Sequence, residues 1–139
     1  NPEANARAFD ADGWFDTGDL VRIDDAGNLL FGDRNKDMLK VGGENVAASE
    51  IEVVLMETGW VRECAVVGQK HPMLDEVPVA FVVPIAGAPP DLAERLLAVC
   101  RERLADFKVP RHIELVDDMP RSTLEKIAKN VLRERLPTL

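Results

Sequence analysis

Three stretches of the sequence gather the side chains that could do chemistry. The first, Trp14-Phe15-Asp16-Thr17-Gly18-Asp19, sets two carboxylates around a glycine. The second runs from Asp33-Arg34-Asn35-Lys36-Asp37 through Met38-Leu39-Lys40-Val41 to Gly42-Gly43-Glu44-Asn45-Val46, followed by Ser49-Glu50-Ile51-Glu52. Its glycine pair allows close approach to the backbone, because no Cβ intrudes. The third is Phe107-Lys108-Val109-Pro110-Arg111, then Met119-Pro120-Arg121 and Lys126. Phe107, Lys108 and Arg111 make an aromatic-and-basic group, in which a ring can stack on a nucleobase while cations meet phosphates. The charge distribution agrees: residues 1–58 carry 5 basic and 13 acidic side chains, residues 59–100 carry 3 and 5, and residues 101–139 carry 9 and 7. The weakly basic end is where an anion is expected.

Composition narrows the classes. The 139 residues are 46% hydrophobic and 30% charged, the balance of a globular domain of ordinary size or of one small domain plus part of another. A net charge of −8 argues against nucleic acid as the partner. No apolar run approaches the ~20 residues of a membrane helix, and no signal-peptide pattern opens the chain, so neither a stable membrane anchor nor export is expected and the location reads as cytoplasmic. The chain starts at Asn1 and not at Met, as expected of a piece of a longer protein. Cys64 and Cys100 form no CxxC and no disulfide framework, and their apolar neighbours predict buried free thiols. His71 and His112 lack partners at metal-ligand spacing, so no metal site and no role are assigned to them.

The elements that must carry these residues follow from pattern. Alternation over 20–24, the turn residues Asp25-Ala26-Gly27-Asn28 and the apolar Leu29-Leu30-Phe31 predict a β-hairpin. Ser49 with Glu52 reads as a capping box, so a helix is predicted from about Glu50, with Ile51, Val54 and Leu55 on its buried face and Thr58-Gly59 at its end. Two β-branched runs, Val61–Gln69 and Val77–Val83, predict strands with a loop from Gly68 to Glu76. Asp91 with Glu94 predicts the cap of a second helix, buried through Leu92, Leu96, Val99, Cys100 and Leu104 and ended by Phe107-Lys108-Val109-Pro110. A short strand over His112–Val116, a turn at 117–120 and a last helix from about Thr123 to Arg135 complete the chain. The fold class is α+β, a small β-sheet packed with about three helices and preceded by a hairpin that belongs elsewhere. The boundary falls near residues 34–37, giving segments 1–34 and 35–139.

The order and spacing of the three stretches resemble the C-terminal end of the adenylate-forming enzymes, the AMP-dependent ligases that include acyl-CoA synthetases, luciferases and peptide-synthetase adenylation domains. The resemblance implies that residues 1–34 close a large N-terminal domain and that 35–139 form a small mobile C-terminal domain. It implies two half-reactions: a carboxylate attacks the α-phosphate of ATP, then the thiol of CoA displaces AMP. Asp19 matches a ribose-binding aspartate and Arg34 a nucleotide-contacting arginine, so both are expected at ATP or AMP. Lys36 matches the hinge. Lys40 and Gly43 fall where the thioester-forming site is lined, with Lys40 a catalytic candidate and Gly43 beside the pantetheine arm of CoA. Lys126 matches the lysine that meets the carboxylate and phosphate during adenylation. Phe107, Lys108 and Arg111 are expected near the CoA nucleotide. ATP and CoA are the implied cosubstrates, with Mg2+ held mainly by the N-terminal domain, and a small carboxylic acid, as in fatty acid metabolism, is the acyl donor.

Read by themselves, these residues have plainer roles. Asp19 suits a turn after Gly18, Arg34 belongs to a charge run, Lys40 guards a strand edge and Phe107 fits a core at a helix end. Lys126 could be a surface lysine like Lys129. The chain also departs from the family pattern. Asp33 and Glu125 replace glycines, and the 71–76 segment has no tryptophan. Ser122 and Glu125 could form a capping box that starts the last helix a turn early. Two other readings are an adenylation domain that feeds a carrier protein and a non-catalytic α+β binding module.

Overall fold

Val77 to Val83 is an apolar run without interruption, and a strand that reads this way must be covered on both faces. The computed structural model describes residues 2–3, 6, 9, 11–12, 19–23, 25–34 and 37–139, and it shows that arrangement. By chain contact the molecule divides into two units, residues 1–37 and 38–139.

The first unit contains β1 (Asp19–Ile23) and β2 (Leu29–Arg34), paired antiparallel with a bulge between Leu20 and Val21. This is the expected hairpin, and Gly27 in its turn has φ +83°.

The second unit begins with a hairpin that the sequence reading passed over. β3 (Met38–Val41) and β4 (Glu44–Ala47) are joined by Gly42-Gly43, with φ of +58° and +87°. Two consecutive positive φ angles make the two-residue turn that suits a twisted hairpin, and glycine adopts them without steric cost. α1 spans Ala48–Met56 and buries Ile51, Val54 and Leu55 as expected. Its N-cap position falls on Ala47, so Ser49 lies inside the first turn and the predicted capping box does not form. Glu52 turns instead toward β5, where its Oε1 accepts the Val66 N–H at 2.9 Å.

β5 (Val61–His71) and β6 (Asp75–Pro84) pair over nearly their whole length. The predicted loop from Gly68 shrinks to Pro72-Met73-Leu74, closed by the Met73 and Leu74 amides donating to His71 Nδ1, both at 3.2 Å. Gly68 is thus a strand residue whose missing side chain makes room. A Cβ there would lie 2.5 Å from Glu76 Oε1, and Glu76 Oε2 accepts the Lys40 N–H at 3.0 Å. The glycine lets one carboxylate stitch β3 to β6, which otherwise share only the Val41–Asp75 register pair.

α2 (Leu92–Arg103) has Asp91 at its N-cap, but that carboxylate is drawn to Arg95 Nε at 2.8 Å and makes no cap bond, so the box with Glu94 also fails. The same hydrogen bond from Arg95 holds the Asp91 carboxyl below its usual range. A 3-10 turn over Asp106–Lys108 leads to β7 (His112–Leu115), which runs parallel to β6 along Val79–Val82. The sheet order is β4-β3-β6-β5, with β7 also on β6. The last helix, α3, spans only Lys129–Glu134.

Alternation sorts β5 and β6 onto two cores. Val66, Ala80 and Val82 face α1 and α2, packing with Ile51, Leu55, Leu92, Leu96 and Cys100. Ala65, Val67, Val79, Phe81 and Val83 face Met119 and Leu132 on the other side. The second unit, residues 38–139, has the expected α+β architecture, with three α-helices on its sheet. Cys100 is buried and Cys64 half-buried, both as free thiols. Burial and then Glu52 push the Cys64 thiol up to about 12, and burial pushes Cys100 up to about 11.

Candidate functional site

The Lys126 segment is built from its two apolar anchors. Met119 before it is buried in the second core, Ile127 packs against that core, and Leu132 follows fully buried. Between the anchors the chain makes a small hairpin and not the predicted helix from Thr123. Arg121 and Ile127 form a bridge, Ser122 N–H donates to Lys126 O at 2.7 Å, Ala128 N–H donates to Pro120 O at 2.8 Å and Glu125 N–H donates to Ser122 O at 3.0 Å. Ser122 and Glu125 have the spacing that could form a capping box; here they close a turn. The helix begins six residues late because docking Met119 and Ile127 on one sheet face requires a reversal between them, and tertiary packing overrides the local pattern.

Glu125 takes φ +58° in that turn. The glycine that the resemblance leads one to expect there is the residue that adopts this angle freely, so Glu125 carries strain of about 1 kcal/mol. Glu125→Gly should therefore raise the melting temperature of the second unit, by ~4 °C for ~1 kcal/mol in a domain of this size. An unchanged or lower midpoint in a calorimetric scan would show that the turn stores no such strain.

Lys126 is exposed and has no ion-pair partner among the described residues. Lys129, the competing lysine, is held 2.7 Å from Glu52 Oε1 with its side chain 18% exposed. Arg121 pairs with Glu63, and the hydrogen bond that it donates to the Glu63 carboxylate raises the guanidinium further above its already high pKa. Lys126 is thus the available cation of this segment.

A second group forms around the β3–β4 turn. A cleft of ≈ 270 Å³ is lined by Val41, Gly42, Glu44, Leu74, Phe107 and Arg111, among others. Phe107 is 38% exposed at its wall, so it is not the core residue that its position at a helix end would allow. Arg111 also lines an adjoining open cleft of ≈ 310 Å³ with Arg101. Arg101 escaped the sequence reading because nine residues separate it from Arg111 and only the 3-10 turn brings the two together. Lys108 is placed differently from its neighbours: both Glu50 carboxylate oxygens lie 3.0 Å from its Nζ, which sits 5.7 Å from the centre of the Phe107 ring. Lys40 is exposed on β3, and Gly43 adjoins the cleft through Gly42. A Cβ built on Gly43 meets nothing within 4 Å.

Asp19 and Arg34 are cross-strand register partners, so the hairpin brings these positions together. Lys36 and the stretch Trp14–Gly18 lie outside the described residues. His71 serves the β5–β6 turn, and His112 pairs with Glu114 at 2.8 Å. Among the described residues no three His, Cys, Asp or Glu side chains converge to hold a metal ion, and no helix is long and apolar enough to cross a membrane.

Known proteins resemble this chain in sequence and in fold. A propanoyl:CoA ligase of Rhodococcus jostii, whose acyl group carries a methyl-dioxo-octahydroindenyl ring system, is 46% identical over 96% of this chain and 26% of its own length. A 2-succinylbenzoate–CoA ligase of Geobacillus kaustophilus is 43% identical over 98% of the chain and 27% of its own length. The crystal structure of ATP-bound MatB from Rhodopseudomonas palustris superposes with a TM-score of 0.86 at 40% identity, over 96% of this chain and 26% of that one. The chain therefore spans about a quarter of the length of the relatives it matches. The sequence profile described as the AMP-binding enzyme C-terminal domain matches residues 50–126, more than half of the chain, and it is to this family of adenylate-forming enzymes that the chain belongs.

Proposed function

We propose that this chain is the C-terminal part of an AMP-forming acyl-CoA synthetase, an acid–thiol ligase that uses ATP to activate a carboxylic acid and passes the acyl group to CoA. The observation that carries the reading is the contrast between two features of one small unit. A turn presents the ammonium of Lys126, unpaired among the described residues, and a glycine turn adjoins a cleft walled by Phe107 and Arg111. The CoA-ligase names of the relatives favour free CoA over a carrier protein as acceptor.

In the first half-reaction a carboxylate oxygen attacks the α-phosphorus of ATP and pyrophosphate leaves. Lys126 lies against the oxygens where charge gathers, and Asp19 and Arg34 hold the nucleotide from the segment that ends the large domain. In the second, the CoA sulfur attacks the acyl carbon and AMP leaves. Lys40 and Gly43 flank the thiol arm, while Phe107, Lys108 and Arg111 meet the CoA nucleotide. Lys36 is the hinge, one residue before the division between the two units, and a turn there lets residues 35–139 present each face in turn. Mg2+ accompanies ATP, held by residues outside this chain. The acyl donor is a small carboxylic acid such as a fatty acid, and the enzyme works in the cytoplasm.

The test is turnover by the full-length protein that carries this chain. ATP, CoA and a panel of carboxylic acids should yield AMP and a CoA thioester, while the 139-residue chain alone should release no pyrophosphate. Acyl transfer to a pantetheinylated carrier protein but not to CoA would replace this reading with an adenylation domain. Absence of ATP turnover with every acid would leave a binding module.

A further inference from the structure

The turn that presents Lys126 is fastened at both ends to the elements beneath it. On its N-terminal side Arg121 pairs with Glu63 of β5, and its other guanidinium nitrogen reaches Glu125 O at 3.4 Å. On its C-terminal side Lys129 Nζ pairs with Glu52 Oε1 of α1 at 2.7 Å. Glu52 is itself held, since the same oxygen accepts the Val66 N–H of β5. These pairs are sheltered. The Glu63 and Glu52 side chains are 25% and 24% exposed, whereas the surface pair Arg95–Asp91 is 51% and 46% exposed. Solvent and salt weaken sheltered pairs less.

Between the fastenings, residues 122–126 are all exposed, with Leu124 at 76%. The apex of the turn therefore packs on nothing that would orient it. Its internal hydrogen bonds fix its shape, and the attachments at its ends fix where it points. The pairing also neutralises the two cations that flank Lys126, so neither competes with it for an anion.

We propose that Glu63–Arg121 and Glu52–Lys129 form a clamp that positions Lys126, making these four positioning residues for adenylation. The proposal rests on the reading of Lys126 as the adenylating lysine. It separates the two glutamates from an ordinary structural role, because loosening the clamp should misplace one ammonium while leaving the sheet intact. Glu52→Gln keeps a carbonyl oxygen for Val66 and removes only the charge that holds Lys129.

In the full-length protein, Glu52→Gln and Glu63→Gln should each lower kcat for ATP–pyrophosphate exchange about tenfold, with KM for ATP within about twofold and acyl transfer from supplied acyl-adenylate unchanged. The exchanged pair Glu63→Arg with Arg121→Glu should recover most of the loss that Glu63→Arg alone produces. In the 139-residue chain, backbone 15N order parameters of residues 122–126 should fall below ~0.6 in both Gln variants. Parallel slowing of both half-reactions together with a fallen melting point would overturn the clamp in favour of plain stabilisation. Order parameters that stay rigid in both variants would overturn it as well. Lys126→Ala decides the underlying reading separately: if adenylation survives that change, the reading fails even where the order parameters fall.

Discussion

Lys126→Ala in the full-length protein should slow acyl-adenylate formation about 10²- to 10³-fold, the loss typical of removing one preorganised donor from a developing anion. Thioester formation from a supplied acyl-adenylate should change little. The difference follows from where charge builds up. In adenylation, negative charge grows on the phosphate and carboxylate oxygens as the new bond forms, and a cation bound more tightly to that arrangement than to separated substrates lowers the barrier. In the transfer step the phosphate charge leaves with AMP, and the ammonium has nothing comparable to stabilise. Because the Lys126 side chain is exposed and unpaired among the described residues, its removal should not unfold the unit. Lys129→Ala is the instructive comparison. It breaks the pair with Glu52 and should slow adenylation less than Lys126→Ala. Equal slowing of both half-reactions by Lys126→Ala, or a larger effect from Lys129→Ala, would move the role away from Lys126.

Strands β1, β2, β5, β6 and β7 and the buried faces of α1 and α2 were legible because apolar periodicity is a local record of burial, whereas the short β3–β4 hairpin was not. Ile51, Val54 and Leu55, or Leu92, Leu96 and Cys100, declare one side of a helix wherever the helix ends up. The errors fall where a residue is claimed by a partner other than the helix end. Ser49–Glu52, Asp91–Glu94 and Ser122–Glu125 all carry the spacing of a capping box. Yet the Glu52 carboxylate is claimed by Val66 and Lys129, the Asp91 carboxylate by Arg95, and the backbone amide of Ser122 by the Lys126 carbonyl. Gly68 looked like the start of a loop and is a strand residue that yields space to Glu76. At the candidate site, Gly42, Phe107 and Arg111 were named in sequence and share one cleft, but Arg101 and the glutamates under Lys126 left no mark in the sequence around them. A residue's partner across the sheet depends on register, and register is set by the whole core.

Gly43→Leu should give the mirror of the Lys126 result, slowing thioester formation by ~10²-fold while sparing adenylation, the scale expected when a reacting group is kept from its productive position. The geometry makes the test cleaner than the sequence alone would suggest. A Cβ on Gly43 meets no atom within 4 Å, so a leucine there projects outward from the turn and does not press on the unit's own core. Gly42 is the poorer site, since its Cβ would touch Leu74 Cδ2 at 3.4 Å and its amide already holds Leu74 O at 2.9 Å. What Gly43→Leu does cost is backbone strain, about 1–2 kcal/mol for a side chain forced to positive φ. That cost lowers the melting temperature, and loosening the β3–β4 turn could slow catalysis without any blocked path. Gly43→Asn separates the two effects, because asparagine tolerates the left-handed region and adds less bulk. If blocked space is the cause, Gly43→Asn keeps most of the transfer rate and Gly43→Leu loses it. If both variants lose it equally, the turn's conformation matters and the thiol does not pass there. If Gly43→Leu melts only a few degrees early and transfers the acyl group at the parental rate, the thioester-forming face is elsewhere, and the assignment of Lys40 and Gly43 to it falls with that result.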